Sequence, residues 1–151
     1  MNYRTASIED MPILLNFGKK LFFIESEFDP TITYSQAEAE SRYTKQFDNP
    51  LALFLIAETN EKLPVGYLYA HIDNAGTHQQ PRCEIEVIFV DATYRGQGIA
   101  TEFVRLALDW AKKNNVTIAH THIFARNSSS IRMFRKLGFK PHNVEYLLRF
   151  E

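Results

Sequence analysis

The chain has a single cysteine, no excess of charge of either sign and no long apolar run. Cys83 has no partner for an internal disulfide, which excludes a disulfide scaffold and fits a reducing compartment, so a cytoplasmic location is expected. Lys and Arg number 17 against 18 Asp and Glu, so the broad basic footprint of a nucleic-acid binder is missing. No run reaches the length of a membrane span, and the start lacks a signal-peptide pattern. Neither nucleic acid nor membrane is therefore an expected partner. Glycine and proline, six of each, mark no linker or low-complexity tract, and there is no internal repeat.

Hydrophobic residues make up 45% of the 151, enough for a core, and residues 1–151 read as one domain. Residues 2–6 read as a short strand. Ser7 and Asp10 form a helix start of the capping-box kind. Ile13, Leu14, Phe17 and Leu21 then mark one apolar face, with Gly18 weakening the helix near its end. An aromatic and acidic stretch over 22–29 breaks at Pro30, and a second helix is predicted from Ser35 to about Phe47. Residues 51–58 and 65–72 read as strands around a turn at 59–62, with Gly66 marking a bulge or a close approach. A polar loop over 73–81 follows, in which His78 reads as solvated. Residues 82–90 form the next strand, where Cys83 reads as a small buried apolar residue rather than a nucleophile. After a helix ending at Asn114–Asn115, residues 116–124 read as a strand. A helix capped by Asn127 or Ser128 and closed by Gly138 comes next, then a final hairpin of 139–140 with 144–150. His120 and His122 share one strand face, a spacing that suits a metal, but no third ligand is evident and no metal is expected.

The chain is organised around residues 88–100. An apolar β-branched run ends at Val90, a short polar link follows, and then come Gly96 and Gly98. Ile99, Phe103, Leu106, Ala107, Trp110 and Ala111 recur at helical spacing, with Glu102, Arg105, Asp109 and Lys112 opposite. Strand, glycine turn and amphipathic helix in that order make an anion site. The first helical turn has unpaired N–H groups and the positive end of the dipole, and glycine lets a ligand approach the main chain. Arg95 adds a positive charge. A Walker loop is excluded because no Gly-Lys-Ser/Thr is present, and the third glycine of a dinucleotide fingerprint is replaced by Thr101. What remains is Arg95, two residues, Gly98, one residue, Ala100.

That pattern resembles the GNAT-type N-acetyltransferase superfamily. Residues 84–90 resemble its central strand, residues 127–139 its Asn-initiated helix closed by Leu-Gly-Phe, and residues 3–10 its opening. The resemblance spans nearly the whole chain. It implies a mixed α/β fold: a mostly antiparallel sheet with one parallel pair, splayed at a cofactor cleft and flanked by about four helices. It also implies acetyl-CoA as co-substrate. The main chain at Ile88, Phe89 and Val90 would hold the pantetheine arm, and Arg95, Gly96, Gln97, Gly98, Ile99, Ala100 and Thr101 the pyrophosphate. Asn127, Ser129 and Ser130 would contact the distal part, and Phe134 the sulfur end.

The reaction implied is acetyl transfer to a primary amine by direct attack through a tetrahedral intermediate. The amine belongs to a small, polyamine-like molecule or to a protein. An amine with a pKa near 10.4 must lose a proton first, and Glu86, then Glu84, are the candidate bases, two apart on a strand face opposite Ile85, Val87 and Phe89. The N–H of Ile88 is the candidate oxyanion donor. Phe22, Phe23, Glu25 and Phe28 would line the acceptor side. The family's usual Tyr on the last helix is Phe134 here, and Phe cannot donate a proton; Tyr67, Tyr69, Tyr94 and Tyr146 are the other phenols to consider. The alternative is a non-catalytic acyl-CoA-binding or sensor module of the same fold. A third reading, a binder of another nucleotide phosphate, lacks its Lys or Asp. Family members are often dimers and the last strand offers an edge, so a homodimer stands beside a monomer among the expectations.

Overall fold

The computed structural model describes residues 1–74 and 79–150. The stretch 75–78, with His78, and Glu151 lie outside the described residues. Five strands form one sheet in chain order: β1 (Asn2–Thr5), β2 (Ala52–Glu58), β3 (Pro64–Asp73), β4 (Arg82–Val90) and β5 (Ile118–His120). The first three pairings are antiparallel and β4–β5 is parallel. Among the described residues there are four α-helices: α1 (Met11–Glu25), α2 (Gln36–Phe47), α3 (Ile99–Lys113) and α4 (Ser128–Lys136). This is the expected mixed fold with a mostly antiparallel sheet.

Two cores form, one on each sheet face. Leu55, Leu68, Ile85, Phe103, Val104, Ala107 and Phe134 pack on the α3–α4 side. Leu14, Phe17, Tyr43, Phe54, Ile56, Tyr67, Tyr69 and Phe89 pack on the α1–α2 side. β2 and β3, which lie between them, are therefore buried on both faces, which is why 51–58 reads as a continuous apolar run. At Gly66 a close approach is present: a Cβ there would stand 2.5 Å from the carbonyl oxygen of Phe89.

α1 runs past the expected end, so Phe22 and Phe23 are helical. Gly18 does not stop it. A methyl there would make only ordinary contact, 3.5 Å from the Tyr67 hydroxyl. α2 begins as expected, with the Ser35 hydroxyl accepting from the Glu38 N–H at 3.3 Å. Asn114 and Asn115 close α3, Asn115 in the left-handed region. Gly138, at φ +92, closes α4 as expected.

Three expectations are corrected. The strand read over 116–124 pairs only at Ile118–His120. The final hairpin is absent: residues 140–150 form neither helix nor strand, and all are exposed. Lastly, Ile85, Val87 and Phe89 do not share a face. Tyr69 pairs with Val87 and Ala70 with Ile85, so Glu86 is an extra, bulged residue on β4. The bulge turns the strand over. Ile85 faces the α3–α4 core, and Phe89, with Val87 against it, faces the α1–α2 core.

Candidate active site

β4 and β5 are in register only at Arg82–Ile118, Cys83–Ala119 and Glu84–His120. Beyond that point they part. The Thr121 hydroxyl donates to the carbonyl of Ile85 at 2.9 Å, and from Glu86 onward β4 has no β5 partner. A cleft thus opens along Glu86–Val90, with main-chain groups on its wall, and buried main-chain groups need partners. Glu86 stands at its apex because the bulge falls there.

At the open end, the Asp91 carboxylate accepts from the Thr93 N–H and starts a single 3-10 turn over Ala92–Tyr94. Gly96 and Gly98 follow with φ of +76° and +81°, conformations that disfavour a side chain. Nothing lies within 4 Å of where a Cβ would be at either glycine. The space above the turn is open and faces the first amides of α3. The Arg95 Nε donates to the Val90 carbonyl at 3.0 Å, which fixes the arginine at the strand end and engages one of the groups proposed for the pantetheine arm. Gln97 is exposed, Ile99 is buried in the core, and Ala100 and Thr101 are half-buried in the first turn. On α4, the Asn127 Oδ1 accepts from the Ser130 N–H and the Ser129 hydroxyl, both at 3.3 Å. Phe134 is a core residue, 6% exposed, edge-on to Phe139 at 5.0 Å.

The polar apex holds more than the two glutamates. Arg42 of α2 donates to Glu86 Oε1 at 2.7 Å. His71, paired across β3–β4 with Glu84, lies between the carboxylates: its Nε2 is 3.6 Å from Glu84 and its Nδ1 3.5 Å from Glu86 Oε2. That Nδ1 is buried without a hydrogen bond. His122 Nδ1 is 3.2 Å from Glu84 Oε1. Glu84, His120 and His122 each bring one donor atom within 4.8 Å of the others, so the third group absent from a reading of β5 alone is Glu84, across the sheet. Burial lowers the His120 pKa.

Sequence reasoning missed His71 and Arg42. The β3–β4 register could have found His71: counting inward from Asp73 opposite Arg82 puts it opposite Glu84. Arg42 carried no such signal, since helix packing decides where it points.

The four candidate acceptor residues have different neighbours. Phe22 packs on Phe23 and Tyr34 at ring distances of 5.5 and 5.6 Å, and Phe28 stacks on Phe124 at 5.5 Å. Phe23 is 59% exposed. Burial raises the pKa of Glu25. Among the phenols, Tyr67 and Tyr69 are buried, and burial raises both pKa values. Tyr94 is half-buried beside the glycine turn, and Tyr146 lies on the exposed tail.

A sheet parted between its two parallel strands, with a glycine turn and helix N-terminus at the open end, defines an acyltransferase-type fold. The model of the Acetyltransferase (GNAT) family matches residues 20–139, and the chain belongs to that family. It is 32% identical over 92 residues to an uncharacterized N-acetyltransferase of Methanocaldococcus jannaschii, covering 60% of this chain and 40% of that protein. An aminoglycoside 6'-N-acetyltransferase from Acinetobacter haemolyticus, in its apo form, superposes with a TM-score of 0.78 at 26% identity, over 100% of this chain and 99% of the other. A predicted acetyltransferase from Clostridium acetobutylicum, solved with acetyl-CoA, superposes at 0.81 with 21% identity, over 98% and 95%. Among the described residues no helix is long and apolar enough to cross a membrane.

Proposed function

We propose that this chain is an N-acetyltransferase that moves an acetyl group from acetyl-CoA to a primary amine. The observation that carries the reading is the cleft: β4 loses β5 at Glu86, and the glycine turn stands at its other end. The residues present fit the co-substrate. Open space over Gly96 and Gly98 admits a pyrophosphate to the N–H groups of α3, and Arg95 adds charge. The main chain over Ile88–Val90, once the Val90 carbonyl exchanges its Arg95 partner, takes an extended arm as an added strand, and Asn127, Ser129 and Ser130 would meet the distal part. The thioester supplies the activated acetyl carbon.

Glu86 receives the amine proton, directly or through water. Arg42 holds one of its oxygens and leaves the other towards His71. His71 lies 3.6 Å from Glu84 and 3.5 Å from Glu86 and joins the two carboxylates in one polar cluster. The N–H of Ile88 stabilises the oxyanion, which collapses with cleavage of the C–S bond, and coenzyme A leaves as the thiolate and takes its proton from water. An anionic apex suits a cationic acceptor, a small amine or a protein amino group. An aminoglycoside is the acceptor class of one structural relative by its name, which puts polyamines and aminosugars first in a screen.

Thiol release from acetyl-CoA over an amine panel tests the activity. Glu86→Gln should lower kcat by about 10²-fold or more with acetyl-CoA affinity kept. Unchanged kcat would remove Glu86 from the role of base. Tight acetyl-CoA binding with no turnover on any amine would favour the sensor alternative instead.

A further inference from the structure

Three side chains able to ligate a metal meet where β4 and β5 make their last register pair. Glu84 stands opposite His120 across the parallel ladder. His122 follows two residues on, and the alternation of extended chain returns it to the side of His120. The two imidazole rings are 5.7 Å apart, edge to face. Between them, the Thr121 hydroxyl donates to the Ile85 carbonyl at 2.9 Å and ties that short stretch to β4. His122 Nδ1 already lies 3.2 Å from Glu84 Oε1. The other oxygen, Oε2, faces His71 at 3.6 Å. The carboxylate is thus divided, one oxygen towards β3 and one towards the histidines of the β5 segment.

We propose that Glu84, His120 and His122 bind one divalent cation of the zinc class, which clamps β4 to β5. Two imidazoles and a carboxylate are a donor set for such ions, whereas Ca²⁺ and Mg²⁺ take oxygen ligands. The three donor atoms lie within 4.8 Å of one another. Bonds of about 2.0–2.2 Å at tetrahedral angles put ligand atoms roughly 3.3–3.6 Å apart, so no gap exceeds about 1.5 Å. Side-chain rotation spans that distance, and His122, with its side chain 80% exposed, can turn without displacing the core. The backbone needs no rearrangement, because the Glu84–His120 register and the Thr121 bond already hold the three positions together. Such preorganisation lowers the cost of binding. Three protein donors leave a fourth position to water. The clamp closes on the last pair before the strands part, so a bound ion fixes the closed end of the cleft. The site is independent of acetyl transfer: the folded sheet holds the ion whether or not the cleft turns over.

Calorimetry of the tag-free, EDTA-stripped protein with Zn²⁺ should show one equivalent bound with a micromolar or lower Kd. At about a hundredfold excess over Kd, Zn²⁺ should raise the melting temperature by about 5–11 °C. Mg²⁺ and Ca²⁺ should leave it unchanged. His122→Ala and Glu84→Gln should each weaken Zn²⁺ binding at least about tenfold. His122→Ala alters an exposed side chain, so without metal it should melt as the parent does. His142→Ala, on the exposed tail, should bind Zn²⁺ as the parent does. In NMR spectra the imidazole resonances of His120 and His122 should move together during the titration. Absence of saturable Zn²⁺ binding at micromolar concentrations overturns the proposal. Binding that survives both His122→Ala and Glu84→Gln, or that His142→Ala abolishes, would place the ion elsewhere and overturn it equally.

Discussion

Replacing Gly66 with alanine should loosen the strand that borders the cleft. Gly66 pairs with Val90. A methyl there would stand 2.5 Å from the Phe89 carbonyl oxygen, 3.3 Å from the Val90 Cα and 3.4 Å from Phe103 Cε2. A carbon–oxygen contact settles at about 3.3–3.6 Å, so β3 and β4 must separate by about 0.8 Å. The obstacle is backbone within a ladder and cannot swing aside as a side chain would. Overpacking of this kind costs about 1–3 kcal/mol. At about 2–4 °C per kcal/mol for a chain of this size, the melting temperature should fall by about 2–12 °C. Acetyl-CoA affinity should fall too, because the displaced residues are the cleft wall. Gly18→Ala is the control, since its methyl meets only the Tyr67 hydroxyl at 3.5 Å. Inside a helix it should stabilise by about 0.5–1 kcal/mol. Thermal melts followed by circular dichroism read both. A Gly66→Ala protein as stable as the parent, or one no less stable than Gly18→Ala, would refute the reasoning.

Gly98→Val should weaken acetyl-CoA binding at least about tenfold by calorimetry, because the turn needs a left-handed residue and an uncovered main chain; an unchanged Kd would contradict the placement. Cys83 is fully buried, and burial, with Glu84 adding to it, pushes its thiol up to about 11. Ellman's reagent should label it slowly in the native protein and stoichiometrically in guanidinium; rapid native labelling would mean that the α3–α4 core is open. Asp10 is held below the usual carboxylate range, first by its hydrogen bonds from Arg4 and further by Ser7. A depressed folded pKa gives stability that is present above the unfolded value, near about 3.9, and lost as pH falls through the folded one. Asp10→Asn should therefore lower the melting temperature at pH 7 and flatten its fall below about pH 4. A fall as steep as the parent's would assign acid sensitivity elsewhere.

Much of the architecture was legible because local patterns and tertiary demands agree. The Ser7–Asp10 and Ser35–Glu38 starts, Gly138 at the helix end and the apolar stripe of α3 each encode their own element. The last strand was illegible for the opposite reason. Residues 144–150 have a strand's period, but a strand needs an edge to pair with, and alternation does not say whose edge. The facing of β4 failed on one residue: nothing in Glu84-Ile85-Glu86-Val87 announces a bulge, yet it reverses every side chain beyond it. The glycine turn was readable from spacing, whereas His71 and Arg42 reach Glu86 through register and helix packing.

The central claim is that acetyl-CoA lies between the parted strands, against main-chain donors. An NMR titration of the isotope-labelled protein with acetyl-CoA tests it most directly. Saturable amide shifts concentrated in Glu86–Val90, Arg95–Thr101 and Asn127–Ser130 are the predicted result. Shifts clustered elsewhere, or none at saturating ligand, would contradict it.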